Sequence, residues 1–112
     1  MTQAEAESLL AECRQKIDAI DTQLRELLNR RAGIVEGVVR AKEVLAMPVY
    51  EPKREENVIR KVAEGNPGPL SDQAFRHIFD TIMSEMRQMQ QVYLDQQKLS
   101  KDRQKLSKGS AE

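Results

Sequence analysis

Apolar residues recur at steps of three and four along the first third of the chain: Leu9, Cys13, Ile17, Ile20, Leu24, Leu28, Val35 and Val38. That period puts them on one face of a helix. No proline interrupts it and only Gly33 and Gly37 weaken it, so the pattern predicts one helix from about Ala4 to Leu45, about 60 Å long. Gly33 and Gly37, four apart, share a side where another helix could approach closely, at about 1 kcal/mol each against alanine. Met47-Pro48 ends the helix, because the residue before a proline avoids the α region. After a short connection from Pro48 to Lys53, Pro52 suits the first turn of a second helix, predicted from Pro52 to Glu64 with Val58, Ile59 and Val62 on its apolar side. Gly65-Asn66-Pro67-Gly68-Pro69 stops that helix. Ser71 is a good N-cap for a third, with Asp72 in its first turn. Its apolar positions are Phe75, Ile78, Phe79, Ile82, Met83, Met86, Met89 and Tyr93, over 25 to 30 residues or about 40 Å.

From Asp95 onward the chain turns polar, and QKLSK at residues 97–101 returns at 104–108. Leu99 and Leu106 continue a seven-residue spacing from Val92, which hints at a helical extension, but one apolar residue per heptad is too little for a coiled coil. Residues 1–94 therefore read as the domain and 95–112 as a polar helical extension with a frayed end, Gly109 to Glu112 being expected disordered. No strand pattern exists. The expectation is an all-α fold of three helices, long, short and long. The first helix is too long for the rest of the chain to cover, so an intertwined homodimer follows, with the first helices crossing between subunits.

Composition narrows the function. The 112 residues carry 18 cations and 18 carboxylates, so the electrostatic footprint of a nucleic-acid binder is missing. The lone Cys13 excludes an internal disulfide and reads as a small core residue. No apolar stretch approaches a membrane span, and the N-terminus has no basic segment followed by an apolar run, so the expected location is cytoplasmic.

Two cations interrupt the first helix's stripe. Arg31 and Lys42 stand eleven residues apart, about three turns, and point within roughly 20° of each other. A cation facing a core costs several kcal/mol, on the order of a buried charge, unless an anion meets it. Arg14 flanks Cys13 and Ile17. Gln90 follows Phe79, Met83 and Met86 at steps of four, three and four, and so faces inward. Glu51, Arg54, Glu55 and Glu56 gather at the start of the second helix. Each alone has an ordinary reading: a snorkelling or ion-paired arginine, a lysine favoured by a helix C-terminus, a satisfied amide, carboxylates favoured by a helix N-terminus. The methionines are core filling, and His77 is solitary, so no metal is expected. Together, several cations directed at one interior with few carboxylates in reach describe a receptor for a small polyanion. The sequence offers no Ser–His pair, reactive cysteine or Gly-rich phosphate loop. An enzyme built on these groups would act by positioning and electrostatic stabilisation.

RQKIDAID (14–21), LLNRR (27–31), VVRAK (38–42), PVYEPKREENVI (48–59) and GPLSDQAFRHIFDTIMSEMRQMQ (68–90) together resemble the all-helical, type II class of chorismate mutases, in order and spacing, over about residues 9 to 93. The resemblance implies an intertwined dimer with two active sites and a cofactor-free Claisen rearrangement of chorismate to prephenate, in phenylalanine and tyrosine biosynthesis. Carried over residue by residue, it implies that Arg14 reaches into the partner's site and, with Arg31, binds the substrate carboxylates. Lys42 would meet a carboxylate and the ether oxygen, and Gln90 would donate a second hydrogen bond to that oxygen. Arg54 would help hold the site, while Glu51 and Glu55 fix the ring hydroxyl. Two positions depart from the family pattern: Met86 stands where a small polar residue is common, and Glu51 where a shorter aspartate occurs. The rival readings are an isochorismate pyruvate lyase of the same fold and a non-catalytic module that senses chorismate or prephenate. A third, a structural helical adaptor, is disfavoured by the inward cations.

Overall fold

In a computed structural model the chain is described over residues 1–110, with side chains over residues 1–106. Three helices follow in order: α1 (Gln3–Leu45), α2 (Pro52–Ala63) and α3 (Asp72–Ser110). No strand occurs among the described residues. These bounds fall within a residue of those predicted for α1 and α2. The chain divides into two units, Met1–Ile34 and the remainder from Val35.

The first unit is helical from Gln3 on. Thr2 caps it: its hydroxyl accepts from the Glu5 backbone N–H at 3.1 Å and donates to the Glu5 carboxylate at 3.1 Å, a variant of the capping box written in the sequence as T-x-x-E. The apolar stripe lies exposed, Leu9, Ile17, Ile20 and Leu24 all between 45% and 53% accessible. Cys13 is exposed with them. The expectation that it is a core residue fails within the single chain, because no element of this unit covers the stripe it stands on.

In the second unit α1 ends in a Schellman-type turn, the Met47 N–H bonding the Lys42 carbonyl at 2.9 Å. Ala46 holds the left-handed position, φ 55°, where glycine is at ease. Ala46→Gly is therefore expected to raise the melting temperature slightly or leave it unchanged, despite the added freedom of the unfolded chain; a marked fall in thermal melting would contradict this. Gly65, at φ 73°, closes α2 as its position predicted. The Ser71 hydroxyl accepts from the Ala74 N–H at 3.0 Å, the N-cap read from sequence.

α2 packs on α3, with Ile59 and Met83 each 4% exposed. At their exposed edge Arg76 donates to Glu56 at 3.0 Å. That hydrogen bond, with the arginine's charge, holds the Glu56 carboxyl below its ordinary range. The contribution is present above the unfolded-state value and is lost as pH falls through the depressed one. Denaturant midpoints of wild type and Glu56→Gln should thus differ slightly near neutrality and converge in acid. A gap that widens in acid would contradict the assignment.

Two expectations need correction. The buried valine of α1 is Val39, 1% exposed, whereas Val38 is 43% exposed. The inward face near Lys42 is centred between positions 39 and 42, rotated from the seam extrapolated along residues 9–28. α3 is also longer than the predicted 25 to 30 residues: it spans 39, continuing through Gly109 to Ser110. Residues 95–106 are rich in Gln, Lys, Leu and Arg without proline, so propensity carries the helix on although Leu99 and Leu106 stay exposed. Lys101 approaches Glu43 at 3.9 Å. Of the end expected to be disordered, Ala111 and Glu112 lie outside the described residues. No helix among the described residues is long and apolar enough to cross a membrane.

Candidate functional site

Lys42 occupies the last turn of α1 and is only 7% exposed. The turn that closes α1 folds the connection back over it. Lys42 Nζ then donates to the Val49 carbonyl at 2.9 Å and pairs with Glu51 Oε2 at 2.9 Å. An ammonium has three donors. Two are engaged among the described residues, which leaves one N–H for a ligand. Glu51 stands at the N-cap of α2 without capping it by its side chain; the carboxylate is turned to Lys42. The extra methylene over aspartate gives it reach for that contact.

Gln90 on α3 is likewise 7% exposed, and its Oε1 is buried without a hydrogen-bond partner among the described residues. Such an orphan costs about 1–3 kcal/mol, so the position is expected to be met by a ligand. A half-turn of the carboxamide exchanges Oε1 with Nε2, so the same point can present a donor. Gln90 borders a small cleft of about 140 Å³ with Glu36, Val39, Met89, Val92, Tyr93 and Gln96. Met86, one turn earlier, is buried at 9% and offers only thioether and methylene.

Glu55, in the first turn of α2, accepts from Arg87 of α3. The Arg87 guanidinium lies 4.8 Å from the centroid of the Tyr50 ring. Sequence reasoning missed both Arg87 and Tyr50. The available signal was phase: Arg87 lies three residues before Gln90 and beside buried Met86, so it borders the inward face. Arg54, the residue before Glu55, is exposed and makes no ion pair among the described residues. Arg14 and Arg31 belong to the first unit, where Arg14 is exposed and Arg31 half-buried. The second unit holds Lys42, Glu51, Arg54, Glu55, Met86 and Gln90: Lys42 and Glu51 are in contact, Met86 and Gln90 stand one turn apart on α3, and Arg54 is exposed. Among the described residues no three His, Cys, Asp or Glu side chains gather as a metal site requires.

A buried lysine with one spare donor and a buried amide that can turn its N–H to a ligand suit an oxygen acceptor, a carboxylate can accept from a hydroxyl, and none of these contacts needs a nucleophile. Comparison with known proteins agrees. The profile described as "Chorismate mutase type II" matches residues 13–91. A bifunctional chorismate mutase/prephenate dehydratase of Neisseria gonorrhoeae is 38% identical over 79 residues, which cover 70% of this chain and 21% of that protein. A chorismate mutase of Methanocaldococcus jannaschii is 29% identical over 90 residues, 78% of this chain and 89% of that one. Among solved structures, chorismate mutase from Helicobacter pylori in complex with prephenate superposes with a TM-score of 0.73 at 27% identity, covering 79% of this chain and 96% of that chain. This chain spans only about a fifth to a quarter of the bifunctional relatives. Through the match over residues 13–91 and the shared three-helix architecture, it belongs to the chorismate mutase type II family.

Proposed function

We propose that the protein is a chorismate mutase, rearranging chorismate to prephenate without a cofactor in aromatic amino acid biosynthesis, as a cytoplasmic homodimer. What supports this reading is that one unit buries both Lys42, with one donor left over among the described residues, and Gln90, whose amide oxygen has no partner among them, α1 and α3 meeting at the cleft that Val39 and Gln90 line. In the rearrangement the ether C–O bond breaks as a C–C bond forms, and no proton moves. Negative charge grows on the ether oxygen in the transition state. A Lys42 N–H and the Gln90 amide directed at that oxygen stabilise the transition state more than the substrate. Arg31 and Arg14 of the partner subunit hold the two carboxylates, folding the enolpyruvyl arm over the ring. Glu55 accepts the ring hydroxyl, with Arg54 at the rim. Glu51 acts through Lys42, and Met86 packs against the substrate's apolar edge.

The exposed stripe from Leu9 to Leu28 supports the dimer, since four or more half-exposed aliphatics along one helix face call for a second helix. The match to a chorismate mutase over 89% of its length favours the mutase over the dehydratase activity of the bifunctional relatives.

Incubation with chorismate and, separately, isochorismate, with products identified by NMR, tests the reading. Prephenate from chorismate is expected. Pyruvate and salicylate from isochorismate would favour the lyase, and chorismate bound but unchanged would favour a sensing module. Gln90→Leu, which keeps the volume and removes the amide, should lower kcat by about a hundredfold with KM much less affected. Steady-state kinetics showing KM alone altered would assign Gln90 to binding.

A further inference from the structure

Three parts of the chain meet at one arginine. Arg87 of α3 donates to Glu55 Oε1 in the first turn of α2, and its guanidinium lies over Tyr50 of the connection after α1. The Glu55 and Arg87 side chains are 20% and 32% exposed, so the pair is partly withdrawn from water. Oε2 of Glu55 takes no part in the contact. We propose that Arg87 is a positioning residue: it fixes the Glu55 carboxylate so that the second oxygen accepts the substrate's ring hydroxyl, and Tyr50 holds the guanidinium plane that does so. This rests on the reading of the protein as a chorismate mutase.

The physical grounds are conformational and electrostatic. A glutamate on the first turn of a helix samples several rotamers, and ordering it on binding would subtract from affinity. A planar guanidinium, itself held by an aromatic face, removes that freedom before substrate arrives. The pairing also neutralises Arg87, so the substrate's carboxylates are left to Arg14 and Arg31. The role is therefore specific to the hydroxyl. A clasp serving only to hold α2 on α3 would contribute to folding and treat all substrates alike.

The test measures kcat and KM of the full-length protein for chorismate and for the analogue lacking the ring hydroxyl. Arg87→Met is expected to raise KM for chorismate about tenfold with kcat changed less than about threefold, and to leave KM for the hydroxyl-free analogue unchanged. Arg87→Lys, which can still pair with Glu55, should recover most of the loss. Combining Arg87→Met with Glu55→Gln should cost little more than Glu55→Gln alone. Equal losses for both substrates, or a KM for chorismate that does not move, would overturn the proposal. If Arg87→Met fails to fold, Tyr50→Leu keeps the ion pair but loosens its orientation. It should show a smaller rise in KM with the same selectivity, and an equal rise for both substrates would overturn the proposal. Wild-type protein inert toward chorismate would instead overturn the mutase reading on which this rests.

Discussion

Lys42→Ala is expected to lower turnover of chorismate by about a hundred- to a thousandfold, the scale of losing one donor to a developing oxyanion. The ammonium is buried at 7%, and two of its three donors already serve Val49 and Glu51. What the substrate meets is a group whose direction is set before binding, so little reorganisation accompanies the reaction. The substitution also releases the connection from α1 and leaves Glu51 unpaired at 29% side-chain exposure. Glu51→Gln separates the two effects. It keeps a hydrogen-bond acceptor for Lys42 and should retain far more activity. Circular dichroism should show Lys42→Ala still helical. Near-normal turnover by Lys42→Ala would refute its role at the ether oxygen.

Arg14→Ala and Arg31→Ala should each be nearly inactive alone, since each leaves one substrate carboxylate without its cation. Mixed in equal amounts after subunit exchange, they should regain about a quarter of wild-type activity. Random exchange makes half the dimers mixed, and a mixed dimer pairs an intact Arg31 with an intact Arg14 at one of its two sites. The exposure of Arg14 and of the stripe around it in the single chain fits a side chain whose working position is in another subunit. No recovery, with exchange verified by mass spectrometry of tagged chains, would contradict a site shared between subunits.

Helical phase carried much of this into the sequence. Lys42 and Gln90 were legible as inward groups because an interruption of an apolar stripe by a polar residue survives translation into three dimensions whatever the partner. Pro52, Gly65 and Ser71 marked the ends of α2 and the start of α3 through backbone rules that act locally. The stripe at steps of three and four takes in Val38 and passes over the buried Val39, because neighbouring positions on a helix differ by only about 100° and such spacing does not choose between them. α3 runs past the 25 to 30 residues that its apolar spacing gives and into the helical extension expected after Asp95, since residues 95–106 are helix formers with little apolar content. Arg87 had a signal in its phase beside Met86 and Gln90, whereas Tyr50 and the bond from Lys42 to the Val49 carbonyl were illegible. They depend on how the connection 46–51 folds back, which follows from the left-handed turn at Ala46, and alanine gives no sign of such a turn. Arg54 neighbours Glu51 and Glu55 in sequence, and in the single chain it is exposed and pairs with neither among the described residues.

The most direct measurement is a crystal structure of the protein with prephenate bound. The product's carboxylates are expected on Arg31 and on Arg14 of the partner subunit, with the free Lys42 N–H and the Gln90 amide both within hydrogen-bond distance of the oxygen released from the ether. Prephenate bound away from Lys42 and Gln90, or held in their site with neither group contacting that oxygen, would contradict it.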